Sequence, residues 1–232
     1  MAKTIVIVGA GGTMGLSIAR QFGKNGYNVG LIARNQEKLS QLAADLAKDG
    51  VTNVSIRTAD VLQQGQLTSA LASLRYEFGS IDVLEYSPAL GPQNYRSALD
   101  VTPELAQQAS DLLVVGAIRA ITSVLPAMRE RKSGSLLFIA GGSAMKPIPP
   151  LANVGIATSG LRNYLTNLHG ALKQDGVYVG AIYVGGIIKR GTEVDPDNIA
   201  AKLYEMHQTQ DKHEDLVLGP PPPGAPGAPG PK

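Results

Sequence analysis

The chain has no cysteine and no tryptophan, and only eight tyrosines, three phenylalanines and three histidines among its 232 residues. Without cysteine it can form neither a disulfide nor a thiolate nucleophile or metal ligand. His169, His207 and His213 are too scattered for metal-ligand spacing, so no metal site is expected. The formal net charge is only +2, with no Lys/Arg cluster and no interleaving of basic and aromatic residues, which argues against nucleic acid as a partner. No window approaches a run of about 18 apolar residues, so no membrane span is expected. The apolar N-terminal stretch is short and broken by glycine, unlike a signal peptide. With 44% hydrophobic and 17% charged residues, the chain is expected to be a soluble, cytoplasmic protein able to bury one sizeable core.

What is present begins at the N-terminus. The uncharged run Thr4-Ile5-Val6-Ile7-Val8 gives way to four glycines in seven residues, Gly9, Gly11, Gly12 and Gly15. A helical pattern bearing Leu16, Ile18 and Ala19 follows. This predicts a buried strand, a tight turn and a helix start. Glycine lets backbone approach a ligand closely, and the free N–H groups of a helix start favour phosphate.

Apolar strands then alternate with amphipathic helices. Strand patterns fall over 29–32, 54–57, 81–86, 136–140, 177–184 and 216–218, and helix patterns over 13–24, 36–49, 64–78, 103–131, 153–175 and 195–212. Asn35, Thr102 and Asp195 read as helix caps, with Pro103 in a first turn. Pro126 predicts a bend or interruption in the helix over 103–131. Strands alternating with helices imply a parallel sheet covered on both faces. Residues 1–219 therefore read as a single α/β domain, a doubly wound parallel seven-stranded sheet of the dinucleotide-binding kind. Residues 220–232 are different material: four consecutive prolines lead into Gly-Ala-Pro repeats, too few for a collagen helix. They read as a solvated polyproline extension, or as a ligand for a proline-recognising protein partner.

Over nearly all of residues 3–219 the chain resembles a short-chain dehydrogenase/reductase. The resemblance is carried by the glycine loop, Asp60-Val61, Leu125-Pro126-Ala127-Met128, Gly134 to Ile139, Gly160-Leu161-Arg162-Asn163 and the turn Val184-Gly185-Gly186-Ile187. A Gly-x-x-x-Gly-x-Gly loop would need glycine at Thr13, whereas Gly-x-x-Gly-x-x-Gly fits Gly9, Gly12 and Gly15. The resemblance implies a dinucleotide cofactor held by Gly9, Gly12, Thr13, Met14, Gly15, Arg34, Asp60, Val61 and Ser87. Arg34 stands where an acid would accept ribose hydroxyls in an NAD site, and a guanidinium there suits a 2′-phosphate, favouring NADP(H). Asp60 has the alternative reading of a helix cap.

The catalytic residues of this family are a tyrosine, a lysine four residues later, a serine and an asparagine. Alignment through Gly160-Leu161-Arg162-Asn163 puts Val154 at the tyrosine position and Thr158 at the lysine. It puts Gly141 at the serine and Leu113 at the asparagine. None of the eight tyrosines is followed by lysine at the fourth residue, so no other register restores the set. Tyr86, Ser143 and Tyr183 are the weak substitutes, with Glu85, Lys146 and Lys189 also at or past strand ends. Between Ile188 and Asp195 only six residues stand where this family commonly carries a substrate lid.

Two functions follow from the resemblance. One is an NADP(H)-binding oxidoreductase of atypical hydride-transfer chemistry. The other is a catalytically inactive nucleotide sensor or partner subunit. In either case the resemblance implies a homo-dimer or homo-tetramer through the helices 103–131 and 153–175, whose small residues Ala117, Ala120, Gly155, Ala157 and Gly160 would permit close approach.

Overall fold

Strand β1 (Thr4–Val8) is buried along its whole length because helices cover both of its faces. Ile5 and Ile7 point to one side of the sheet and Val6 and Val8 to the other, the alternation that a pleated strand imposes. The same alternation along the other strands divides the interior into two cores. One lies under α1 (Met14–Lys24), α2 (Gln36–Lys48) and α7 (Pro196–Thr209); the other lies under α3 (Gln64–Phe78), α5 (Gly116–Glu130) and α6 (Ala152–Leu172). This computed structural model describes residues 2–219. The stretch predicted as a proline-rich tail lies outside the described residues.

The remaining strands are β2 (Asn28–Ala33), β3 (Val54–Thr58), β4 (Val83–Tyr86), β5 (Gly134–Gly141), β6 (Val177–Gly185) and β7 (Glu214–Leu218). Seven strands pair in the order β3-β2-β1-β4-β5-β6-β7, every pair parallel, which is the doubly wound arrangement predicted. The chain leaves β1 towards one edge and returns at β4 towards the other. A crevice at the carboxyl ends of β1 and β4 is the consequence, and such switch points are where open parallel sheets take ligands. The predicted caps form: the side chains of Asn35, Thr102 and Asp195 accept from Lys38, Leu105 and Asp197 N–H groups.

Several expectations need correction. Helix α5 runs through Pro126 without a break, because Ala117, Ala120, Ile121, Val124 and Met128 bury one face of it on the sheet. Tertiary packing outweighs the single lost hydrogen bond. The irregularity lies earlier, where α4 (Pro103–Ser110) joins α5 through a π turn over Asp111–Val115. Together Pro103–Glu130 form one 28-residue helix apolar enough by composition to cross a membrane, contrary to the expectation that no window comes close. Ala117, Ala120 and Ala157 are buried within the fold, so they offer no surface to another subunit; of the five small residues only Gly155 and Gly160 retain exposure. Strand β4 starts two residues later than predicted, and β7 is longer than predicted.

Candidate functional site

The glycine loop crosses the end of β1 and delivers the chain into α1. Gly9 adopts φ +90°, and a Cβ there would stand 2.6 Å from the Pro88 nitrogen, so this position requires glycine on two grounds. Gly15 is needed for close packing, since its Cβ would meet the Ala10 Cα at 2.9 Å. Gly12 differs: nothing lies within 4 Å of where its Cβ would be, and the loop there is open to solvent. The N–H groups of Gly9 and Ala10 donate to the Ile32 carbonyl, and that of Leu16 donates to the Gly11 carbonyl. Those of Gly11, Gly12, Thr13, Met14 and Gly15 find no acceptor among the described residues. Thr13 makes no side-chain cap, and the first turn of α1 carries no acid. A row of free donors at a helix start is an anion site.

Two further groups flank the loop. Arg34, just past β2, is exposed and makes no hydrogen bond or ion pair among the described residues, leaving its guanidinium free for a ligand. Asp60, past β3, is engaged in a local turn, its Oδ1 accepting the Leu62 N–H at 3.0 Å, and it does not cap a helix: the N-cap of α3 is Gln63. Val61 is buried in the core beneath it. Ser87 ends β4, its N–H donating to the Val8 carbonyl at 3.0 Å and its hydroxyl to Glu85 Oε2 at 3.1 Å.

On the other side of the crevice the predicted substitutes separate. Tyr86 is buried, and its hydroxyl donates to the Leu112 carbonyl at 2.6 Å. That carbonyl is free because the Gly116 N–H reaches back to Asp111 in the π turn. A Cβ on Gly116 would collide with the Tyr86 hydroxyl. Tyr86 is thus the plug of a helix defect, and burial drives its ionisation far out of the physiological range. Tyr183 faces the same core and is shifted upward by burial as well. Neither phenol points into the crevice as a proton donor must. Lys146 and Lys189 are exposed and approach neither tyrosine within bonding distance. Ser143 does lie at the site: its hydroxyl is 3.2 Å from Thr158 Oγ1 and 3.4 Å from where a Cβ on Gly141 would stand.

Residues 3–198 match the family described as short chain dehydrogenase. The chain belongs to the short chain dehydrogenase family. Among its relatives, an uncharacterized oxidoreductase of Staphylococcus aureus is 27% identical over 221 residues, 91% of this chain and 93% of that one. Another from Staphylococcus epidermidis is 25% identical over 216 residues, covering 89% and 91%. Similar solved folds include L-sorbose reductase from Gluconobacter frateurii complexed with NADPH and L-sorbose (TM-score 0.82, 22% identity, 94% of each chain). A metagenomic short-chain oxidoreductase in complex with NADP gives TM-score 0.82 at 22% identity, covering 93% of this chain and 96% of that one.

In this chain the four positions assigned to the catalytic set do come together, but as a mainly apolar cluster. Leu113 and Val154 pack with Leu90, Ala109 and Ala157 in a third small core beside α6. Thr158 turns its hydroxyl onto the Val154 carbonyl at 2.9 Å. The short connection after β6 is a closed turn, with Lys189 N–H on the Val194 carbonyl and Gly191 N–H on Asp195 Oδ2. The sequence grouped Glu85 with other strand-end residues, and the structure sets it apart. It is 0% exposed, and Oε1 is the one buried side-chain polar atom without a partner among the described residues. A lone acid inside the strand run Val83-Leu84-Glu85-Tyr86 was the available signal.

Proposed function

We propose that this chain is an NADP(H)-binding oxidoreductase in which hydride transfer proceeds without the family's tyrosine, lysine, serine and asparagine. The observation that carries the reading is the row of five free N–H groups from Gly11 to Gly15 at the β1/β4 switch point, opening onto space that a side chain at Gly12 would otherwise take. Such a cradle fits the diphosphate of a dinucleotide. The free guanidinium of Arg34 supports a 2′-phosphate on the adenosine half, with Asp60 and Val61 on its far side and Ser87 under the nicotinamide half. When bound, the nicotinamide supplies or accepts a hydride. The residues of this chain hold it in place beside the small hydroxyl pair Ser143 and Thr158.

With Val154 and Leu113 in an apolar cluster, no tyrosine–lysine pair is available to move the substrate proton. Positioning alone remains, and the loss of general acid–base help lowers turnover by about 10² to 10⁴. Titration with NADPH and NADH, followed by cofactor oxidation against a panel of carbonyl compounds, tests the reading. NADPH is expected to bind more tightly than NADH and to turn over slowly. Arg34→Ala is expected to weaken NADPH by about 30-fold or more, on the order of 2 kcal/mol, with little change for NADH. Equal losses would refute the role of Arg34, and no binding of either nucleotide would refute the whole reading.

A second reading is favoured by that same apolar cluster: a cofactor-binding sensor or supporting subunit that performs no chemistry. Tight NADPH binding with no oxidation across the panel would establish it in place of the first. In both readings a homo-dimer or homo-tetramer is proposed through 103–131 and 153–175, where Ile156 is 54% exposed beside Gly160.

A further inference from the structure

We propose that Glu85 is the built-in counter-charge for an oxidised nicotinamide ring, so that binding NADP+ in preference to NADPH releases a proton from the floor of the crevice. This rests on the cofactor reading above and adds a property that the family resemblance does not supply. Glu85 lies on β4 between Ile7 of β1 and Leu137 of β5, directly at the switch point. Ser87 is two residues further along the same face, so the hydroxyl it donates to Oε2 means that the carboxyl leans towards the crevice end of the strand. Pro88, next in the chain, sits against Gly9 of the anion loop. Oε1 is left buried without a partner among the described residues. If Arg34 takes the adenosine half beyond β2 and the loop takes the diphosphate at β1, the nicotinamide half extends across β4 and β5, over Ser87 and this acid.

Burial pushes Glu85 up to about 8, with the Ser87 hydroxyl opposing weakly. The unfolded chain ionises this residue near 4.5 while the folded one keeps its proton, so stability is lost as pH rises from about 4.5 to about 8. A buried carboxyl that weakens the fold at neutral pH and keeps only one of its oxygens partnered, by Ser87, marks this end of β4 as a candidate place for a ligand's charge. The two nucleotides carry identical phosphates and differ by one positive charge on the ring. Seating the charged ring favours the carboxylate, and the proton passes to solvent; the neutral reduced ring leaves the acid protonated. Below about 8 the preference for NADP+ over NADPH therefore rises by up to about tenfold per pH unit.

The surrounding groups do not supply this dependence. From β1 and β5 the neighbours are apolar, Ile7, Leu137 and Ile139. On α1, Lys24 is exposed and Arg20 is paired with Asp49 and Asp197. On α7, Asp197 is also held by Ser17 and Arg190, Lys202 is paired with Asp215, and Glu205 is exposed. His207 bridges Tyr27 and Ser135 and is pushed down to about 4, below the working range. Tyr178 on β6 is shifted upward by burial. None of these charges acts measurably on Glu85, whose shift has burial and Ser87 as its causes.

The test is to titrate the full chain with NADPH and with NADP+ from pH 6 to pH 9, measuring proton release in two buffers of different ionisation enthalpy. The ratio of affinities, NADP+ over NADPH, is expected to rise at least fivefold between pH 6 and pH 8.5, with up to one proton released per NADP+ bound below pH 8. In Glu85→Gln the ratio is expected to be flat, NADP+ to release no more protons than NADPH does through the shared 2′-phosphate, and NADPH affinity to stay within twofold. Thermal unfolding checks that variant: it should melt above the parent protein at pH 8 and together with it near pH 4. A flat ratio in the parent protein, or an unchanged slope in Glu85→Gln, overturns the counter-charge while leaving cofactor binding intact. Failure of the parent protein to bind either nucleotide overturns both.

Discussion

The two halves of the sheet are built from the same strand–helix unit, yet they keep different things at their carboxyl edge. On the β1–β2 side, the groups left free are backbone N–H donors from Gly11 to Gly15 and one guanidinium, Arg34. On the β4–β6 side, free polar side chains are few: Tyr86 is spent on the Leu112 carbonyl, Thr158 on the Val154 carbonyl, and Leu113 and Val154 pack on one another's neighbours. On the cofactor reading proposed above, ligand recognition in the first half depends mainly on chain path, which tolerates many side chains provided Gly9 and Gly15 remain. Catalysis in the second half depends on the identity of a few side chains, and replacement of each removes its role. On the reading proposed above, a member of the family keeps the binding half while its chemical half is rebuilt as packing.

The sharpest way to break this comparison is Gly9→Val. The side chain would have to occupy φ +90° with its Cβ 2.6 Å from the Pro88 nitrogen. A loss of about 3 kcal/mol or more is expected in denaturant unfolding, together with loss of NADPH binding. Retention of full stability would show that the loop and the end of β4 are not in contact.

A smaller effect joins the halves. His207 of α7 is held between the Tyr27 hydroxyl, before β2, and the Ser135 hydroxyl of β5, both at 2.8 Å. Burial pushes it down to about 4 from 6.5. As pH falls, the unfolded chain takes up a proton before the folded one does. The stability that depends on neutral His207 is therefore complete above about pH 6.5 and lost progressively down to about pH 4, amounting to about 2–3 kcal/mol. Equilibrium unfolding across that range measures it, and His207→Gln should flatten the acid limb. An identical acid limb in the variant would place the sensitivity elsewhere.

The smallest of the three lies in the second half. Tyr86→Phe removes the donor on the Leu112 carbonyl and should cost about 1–2 kcal/mol of stability. NADPH affinity should not change, since the hydroxyl faces the core beneath α5 rather than the crevice. A large loss of affinity with unchanged stability would return Tyr86 to the site and undo the contrast.

Much of this was legible in the residues alone. The glycine loop between an apolar strand and a helix, the alternation of six further strands with helices, and the caps at Asn35, Thr102 and Asp195 are local patterns, and each appears where local chemistry places it. The absence of lysine four residues after any tyrosine is likewise readable without a fold. Misreadings arose where a distant neighbour decides. Pro126 should interrupt a helix by its own chemistry, and burial of α5 on the sheet overrides it. Tyr86 and Tyr183 sit at strand ends as ligand-facing residues do, and the pleat turns both into the core.

The sequence by itself determined the order of the elements, the parallel sheet and the position of the glycine loop, because these follow from hydrophobic period and from backbone freedom at glycine. Only the tertiary structure decided which polar groups are free. It placed the Tyr86 hydroxyl in the defect at Asp111–Val115, joined Leu113 to Val154, and shut Glu85 away beside the crevice with one oxygen unpartnered. Whether a hydroxyl or carboxyl is spent or available depends on partners far away in the chain, and no local pattern records them.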